Sequence, residues 1–521
     1  MILANGNGSF GGKNPSAASS AASCLLGHSV LTMNFSPYYS RRDFLARCGG
    51  GFGALAFAAL ARGENALPSP LSLIDPVRPY LPRKPHFRPR AKSVIFLYMV
   101  GGPAPMDTFD YKPLLQKLDG QGVPQSFLDR AAKSRFSQVF QDCTNLMGSP
   151  YKFKQYGESG MWVSELFPHM ARHVDDLCFI HSMQADSNNH APASYQMHTG
   201  ETVSGKPSIG SWVTYGLGTE NQNLPGYVLL YEAGPYGGPG NYSNGFLPAA
   251  FQGTRLRSEG VPVLDLQPPQ AYAQGQRASL DLIGKLNARH AASRPGFSEL
   301  DARISSYELA YRMQSAALEV GDIDKESPAL RASYGLEHSD PEVIKFGRKC
   351  LMARRLVERG VRFVQVYNMT DGIGWDAHSN LAENHPRLAR QCDQPIAALL
   401  ADLKQRGLME ETLVVWASEF GRTPMMQGDG GRQHNSAGFT IWMAGGGVRP
   451  GRIGSTDEIG LMATEQPHGL KDLHATIMTA LGIDHEALYF LNEGREYRLT
   501  GNLNNADLIP GVLAPARPGP V

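Results

Sequence analysis

Ser93-Val-Ile-Phe-Leu-Tyr-Met-Val100 runs directly into Gly101-Gly-Pro-Ala-Pro-Met-Asp107-Thr-Phe-Asp110. An apolar run of this length without polar alternation reads as a strand buried on both faces, and the Gly and Pro after it let the chain turn sharply at a sheet edge. Similar runs recur at Leu177–Met183, Tyr227–Tyr231, Val361–Tyr367, Thr412–Ala417 and Gly438–Ala444. Helical patterns lie between several of them: Glu299–Val320, Pro341–Arg359, Pro386–Arg406 and Leu470–Leu481. In the third, Leu388, Ile396, Leu399, Leu400 and Leu403 keep a period of roughly 3.6. Strands alternating with helices predict an α/β fold: a three-layer α/β/α sandwich around a mainly parallel sheet.

In such a sheet ligands bind beyond the carboxyl ends of the strands, so the polar residues just after each run are the first candidates for chemistry. Asp107 is a candidate metal ligand by this rule; an Asp capping the short helix that follows is the other reading. No G-x-G-x-x-G pattern accompanies it, which argues against a dinucleotide site. Asp376 and His378 follow Val361–Tyr367 in Gly374-Trp-Asp-Ala-His-Ser-Asn380, two apart, where a turning segment can aim both side chains the same way. A carboxylate with an imidazole suits zinc, manganese or iron better than calcium. His385 is available to the same group or to a helix start.

Thr412–Ala417 ends in Ser418-Glu419-Phe-Gly-Arg422-Thr-Pro424, and Gly431-Arg-Gln-His434-Asn435 precedes the next run. Glu419 and His434 are candidate metal ligands, and Arg422 with Asn435 are candidate binders of an anionic ester, since guanidinium makes two parallel hydrogen bonds to such a group. A surface ion pair between Glu419 and Arg422 is the plainer reading. After Leu177–Met183, Asn189-His190-Ala-Pro192 reads as a helix start whose free N–H groups favour an anion.

The composition sets outer limits. The chain has 521 residues, 42% apolar and 19% charged, enough for a large core. Its net charge of +1 provides no global field for nucleic acid. No uninterrupted apolar stretch reaches the about 18 residues of a membrane span, so no stable transmembrane anchor is expected. None of the six cysteines forms a C-x-x-C pair, and Cys178 and Cys350 in apolar surroundings read as small buried hydrophobes.

The first 66 residues read as an N-terminal extension with a twin-arginine export signal: Ser40-Arg41-Arg42-Asp43-Phe44-Leu45 followed by the Gly/Ala-rich apolar run Gly49–Ala61. Met33 is the expected true start, and the export machinery and a periplasmic or envelope location are the expected partner and destination. Residues 67–91 read as a Pro/Arg-rich arm, 92–500 as the α/β domain with a loop-rich insertion at about 234–300, and 501–521 as a tail.

The blocks Gly-Gly-Pro…Met-Asp-Thr-Phe-Asp110, Asn189-His190…His-Thr-Gly200, Gly374–Asn380, Ser418–Pro424, Gly431–Asn435 and Asp472–Ile477 together resemble the alkaline phosphatase superfamily, in its sulfatase-like branch of twin-arginine-exported bacterial proteins. The resemblance implies an alkaline-phosphatase-like fold and a metal-dependent hydrolase of phosphate, phosphonate or sulfate esters. It places Asp107 at the first-strand ligand, Asp376 and His378 at one metal site, His434 at that site's late His, and Glu419 at the Asp of Asp-His-Gly. Two departures follow. Phe420 replaces the His of that motif, which puts a second metal site in doubt. His190 stands at the nucleophile position with Ala193 and Ser194 after it, so no formylglycine can form, and His190 is a metal ligand in preference to a covalent nucleophile. The opposing expectation is a non-catalytic metal- or anion-binding envelope protein that keeps the fold.

Overall fold

The computed structural model describes residues 79–136, 145–263, 274–294, 298–369 and 372–515. The chain divides after Leu67, and everything below belongs to the unit Pro68–Val521. The export signal, Met33, Cys143 and the arm as far as residue 78 lie outside the described residues.

The sheet strands are β1 (Ser93–Tyr98), β2 (Leu177–Gln184), β3 (Tyr227–Leu230), β4 (Thr254–Leu256), β5 (Phe363–Tyr367) and β6 (Thr412–Ala417). They are followed by β7 (Gly421–Gln427), β8 (Gly431–Asn435), β9 (Phe439–Ala444), β10 (Gly451–Ile453) and β11 (His468–Gly469). Nine of them form one sheet in the order β10-β2-β9-β6-β1-β5-β3-β4 with β11 also on β2; β7 and β8 pair as a separate hairpin. Every pairing in the large sheet is parallel except those of β9, which runs antiparallel to both β2 and β6. All six apolar runs are strands, and their complete burial explains why no polar alternation marks them.

Side chains of β1 alternate between two cores. Ile95 and Leu97 join one, with α4 (Ser298–Gly321), α5 (Pro341–Glu358) and α6 (Leu381–Gln405). Val94, Phe96 and Tyr98 join the other, with α1 (His190–Thr199), α2 (Ile209–Leu217) and α7 (Leu470–Ala480). The sandwich is therefore α/β/α with a mainly parallel sheet.

Two boundaries differ from expectation. Helix α6 starts at Leu381, five residues before Pro386, and carries Pro386 and Pro395 inside; each proline removes one ladder bond without ending the helix. The expected loop-rich insertion supplies the edge strand β4 of the main sheet and contains helix α3 (Gln276–Ala292), none of whose residues is buried. Residues 79–91 run along the second helical layer, with backbone bonds from Arg83 to Leu217 and from His86 to Gly482. Cys178, Cys350 and Cys392 are buried free thiols. Among the described residues no helix is long and apolar enough to cross a membrane.

Candidate metal centre

Four side chains converge at the carboxyl edge of the sheet: His190, Asp376, His378 and His434 each offer one ligand atom, all within 4.8 Å of one another. Topology explains the convergence. His190 opens α1 after β2, Asp376 and His378 follow β5, and His434 lies in β8. Because β9 is the one reversed strand, its start lies at the edge where its neighbours end, and the β7–β8 hairpin leading into it arrives there too.

Glycines permit the close approach. Gly101 has φ +108°, and a Cβ there would lie 2.6 Å from the backbone nitrogens of Trp375 and Asp376. A Cβ on Gly431 would lie 2.0 Å from the carbonyl carbon of His378. The Asp376 segment is also stitched on both sides: Trp375 N–H donates to Val100 O at 2.8 Å and Arg432 N–H to Ala377 O at 2.9 Å. The indole of Trp375 donates to Asn368 Oδ1 at 2.8 Å.

Asp376 is the hub. Its Oδ1 lies 2.9 Å from His378 Nε2 and 3.1 Å from His434 Nε2, and its Oδ2 lies 3.1 Å from His190 Nε2. The two Nε2 atoms of His378 and His434 are 2.9 Å apart. On the far side of each ring an oxygen receives Nδ1–H: Glu419 Oε1 for His190 at 2.7 Å, the backbone oxygen of Asn188 for His434 at 2.7 Å, and Gln427 Oε1 for His378. Such acceptors fix the hydrogen on Nδ1, so in each neutral ring the Nε2 lone pair faces the shared centre. Three lone pairs around a carboxylate repel one another unless a cation lies among them. His190 Nε2 is buried and makes no hydrogen bond of acceptable geometry, although Asp376 Oδ2 is at ion-pair distance. Three imidazoles, one carboxylate and an oxygen acceptor behind every imidazole match what a divalent metal ion requires. The four residues fit such an ion.

Burial alone would raise the Asp376 carboxyl, but the His190, His378 and His434 side chains around it and the Arg422 charge hold it well below the usual carboxylate range. Burial, with Arg422 adding to it, lowers His434 to about 4, leaving a neutral ring at pH 7. Burial would lower His190 too, yet Asp376 and Glu419 raise it.

Four expected site residues have other roles. Asp107 is not in the ligand group: it is fully buried and gripped by Arg432, Nε to Oδ2 at 2.7 Å and Nη2 to Oδ1 at 3.1 Å. Glu419 stands behind a ligand, because its Oε1 accepts from His190 and from Gly101 N–H at 2.9 Å, while Tyr98 Oη lies 2.9 Å from its Oε2. Arg422 presents no free fork to a substrate. It is fully buried and donates to Gly102 O, Arg432 O, Gly101 O and, at 2.5 Å, Asp376 Oδ1. Asn435 is buried too; it donates to Leu461 O at 2.9 Å and accepts from Ala437 N–H, which shapes the turn into β9. His385 stays apart, its Nε2 accepting from Ala104 N–H at 3.1 Å.

Sequence reasoning missed Arg432, Gln427 and Asn188 as supports, although Arg432 sits two residues from His434 in one block. It also missed Tyr236, whose ring stacks on His190 at 4.2 Å from within the insertion; no local pattern marks that residue.

A His/Asp centre, buried at His190 and open at His378, at the carboxyl edge of a mainly parallel α/β sheet is the class that fold and site define. The chain belongs to the family described as Protein of unknown function (DUF1501), whose model matches residues 91–513. No curated protein matches it. Solved structures similar to it include the PsFucS1 sulfatase from Pseudoalteromonas sp., at 12% identity over 77% of this chain and 68% of that one, TM-score 0.33. The lipoteichoic acid synthase LtaP from Listeria monocytogenes is similar at 10% identity over 78% and 77%, TM-score 0.32. The alkaline phosphatase from the Antarctic bacterium TAB5 is similar at 11% over 75% and 98%, TM-score 0.30. Similarity this distant leaves function to be read from the side chains.

Proposed function

We propose that the protein is an exported metal-dependent hydrolase of phosphate, phosphonate or sulfate esters, with zinc or manganese held by His190, Asp376, His378 and His434. The observation that carries this reading is the common orientation of the three imidazoles, each with Nδ1 donating outward and Nε2 turned towards Asp376. A divalent ion bound there would supply Lewis-acid polarisation of an ester oxygen and an activated water. Glu419 keeps His190 in the ligating tautomer, and Arg422 keeps Asp376 ionised. His378 is the most open of the four, with 39% of its side chain exposed, so a substrate approaches from its side. His190 has its Nδ1 committed to Glu419 and its Nε2 turned towards Asp376 beside the other two imidazoles, which favours a ligand over a covalent nucleophile.

The burial of Arg422 and Asn435 favours a second reading, a metal-binding envelope protein without turnover. Purified chain reconstituted with zinc or manganese and offered aryl phosphate, aryl sulfate and aryl phosphonate separates the two. Turnover of at least one ester, abolished in Asp376→Asn, is the expected result, and full metal loading with no turnover of any of them would leave the binding role. Export belongs to the same proposal, because the Arg41–Arg42 pair is read as an address: with both replaced by Lys, precursor should remain in the cytoplasm. Unchanged export would contradict it.

A further inference from the structure

A cavity of about 370 Å³ lies at the other end of α1 from His190, bordered by Thr199 and Glu201, by Lys471 at the start of α7, and by the hairpin of β12 (Phe490–Asn492) and β13 (Arg495–Tyr497). A ten-residue helix is about 15 Å long, so this cavity is separate from the metal centre. Its lining combines cations with aromatic rings. Lys206, Lys471, Arg495 and Arg498 border it against the carboxylates of Glu201 and Glu496, an excess of two positive charges in a chain whose net charge is +1. Lys471 is neutralised by Glu201 at 2.9 Å and Arg498 by Glu496 at 2.7 Å.

Lys206 differs from both. Its ammonium lies 4.8 Å from the centre of the Tyr497 ring and 5.8 Å from that of Phe246, and among the described residues no carboxylate is within ion-pair distance of it. Ring faces attract an ammonium but leave its hydrogen-bond donors unfilled. The rings are anchored, Phe246 against Tyr497 at 4.7 Å and against Trp212 at 6.2 Å. The backbone is fixed as well: Ser208 N–H donates to Ser243 O at 2.9 Å, and Gly245, at φ +52°, backs onto Lys206 and Pro207 where a Cβ would lie 2.5 Å from the Pro207 nitrogen. The ammonium therefore projects from a fixed backbone against an anchored ring wall.

We propose that this cavity is a second binding site, for a ring-bearing organic anion about the size of one sugar unit. Its anionic group sits on Lys206 and its ring lies against the Tyr497 and Phe246 wall. The volume falls at the lower end of ligand pockets; Arg495, like Lys206, has no ion-pair partner among the described residues, and the pairing of the Lys206 cation with anchored aromatic rings selects for both charge and ring.

Isothermal titration of the full-length protein with galactose 6-sulfate, glucuronate and inorganic sulfate tests it. Saturable one-to-one binding of at least one sugar anion is expected, weakened about tenfold or more in Lys206→Met. Lys206→Arg and Asp376→Asn should leave it nearly unchanged. Preference between the two sugars identifies a sulfate or a carboxylate as the anionic group. Tyr497→Leu, which keeps every charge, should also weaken binding, and serves if Lys206→Met does not fold. The proposal is overturned by no saturable binding of either sugar, by undiminished binding in the folded Lys206 and Tyr497 variants, or by inorganic sulfate binding as tightly as the sugars.

Discussion

Asp107 and Asp376 both follow a buried strand, and their partners decide their different fates. Arg432 closes on Asp107 with two hydrogen bonds, while Asp376 gives one oxygen to Arg422 and keeps both within reach of imidazoles. The order of residues along the chain was enough to place His190, Asp376, His378 and His434 at the sheet edge. It could not separate ligands from supports, because position after a strand says nothing of which distant side chain competes for a carboxylate: Arg432 lies 325 positions from Asp107. Asp107→Asn should lower the melting temperature, since breaking a buried pair costs about 3–5 kcal/mol at most, and should leave bound metal per chain unchanged. Glu419→Gln removes the charge behind His190 and should weaken metal affinity about 10–100-fold in a chelator competition, with the fold retained. The reverse pattern, metal lost in Asp107→Asn and kept in Glu419→Gln, would contradict both assignments and return Asp107 to the ligand role the sequence suggested for it.

Among elements, six strands of the main sheet were legible because double burial leaves uninterrupted apolar runs, whereas the short strands β4, β10 and β11 carry no such run; α4, α5 and α7 were legible because apolar residues recur at helical spacing. Helix α3 was not, since its Leu282, Ile283 and Leu286 face outward and make no core-facing stripe. Neither the reversal of β9 nor the pairing of β7 with β8 has a local signature, and both are needed to bring His434 to Asp376. That hairpin sits so close to the Asp376 segment that Gly431→Ala should push it away. A Cβ 2.0 Å from a backbone carbon cannot be accommodated without a shift of the backbone. Gly431→Ala should lose metal while circular dichroism keeps the α/β spectrum. Unchanged metal content would show that the hairpin can move without cost to the site.

For the whole molecule, the buried imidazoles set the response to acid. His181, His198, His434 and His474 are each lowered to about 4, chiefly by burial. Unfolded, each would titrate near 6.5, so between about 6.5 and 4 the unfolded chain binds more protons and stability falls as pH falls, on the order of 3 kcal/mol per group. Burial pushes Asp393 up to about 6 and also raises Asp457, which opposes the trend over part of that window. His190, raised by its carboxylate neighbours, opposes it as well, and four groups outweigh three. Melting of metal-free protein in chelator should therefore drop steadily from pH 7 to pH 5, and a flat or rising profile would contradict the burial assigned to these rings.

The central claim is that His190, Asp376, His378 and His434 hold a divalent metal ion, and elemental analysis of the purified chain before and after reconstitution tests it most directly. Wild-type protein should carry about one zinc or manganese per chain, and Asp376→Asn or His434→Ala, still folded, should carry almost none, since loss of one of four ligands weakens such a site by orders of magnitude. Wild-type protein with no metal above background after reconstitution, or folded variants that retain as much metal as the wild type, would contradict it.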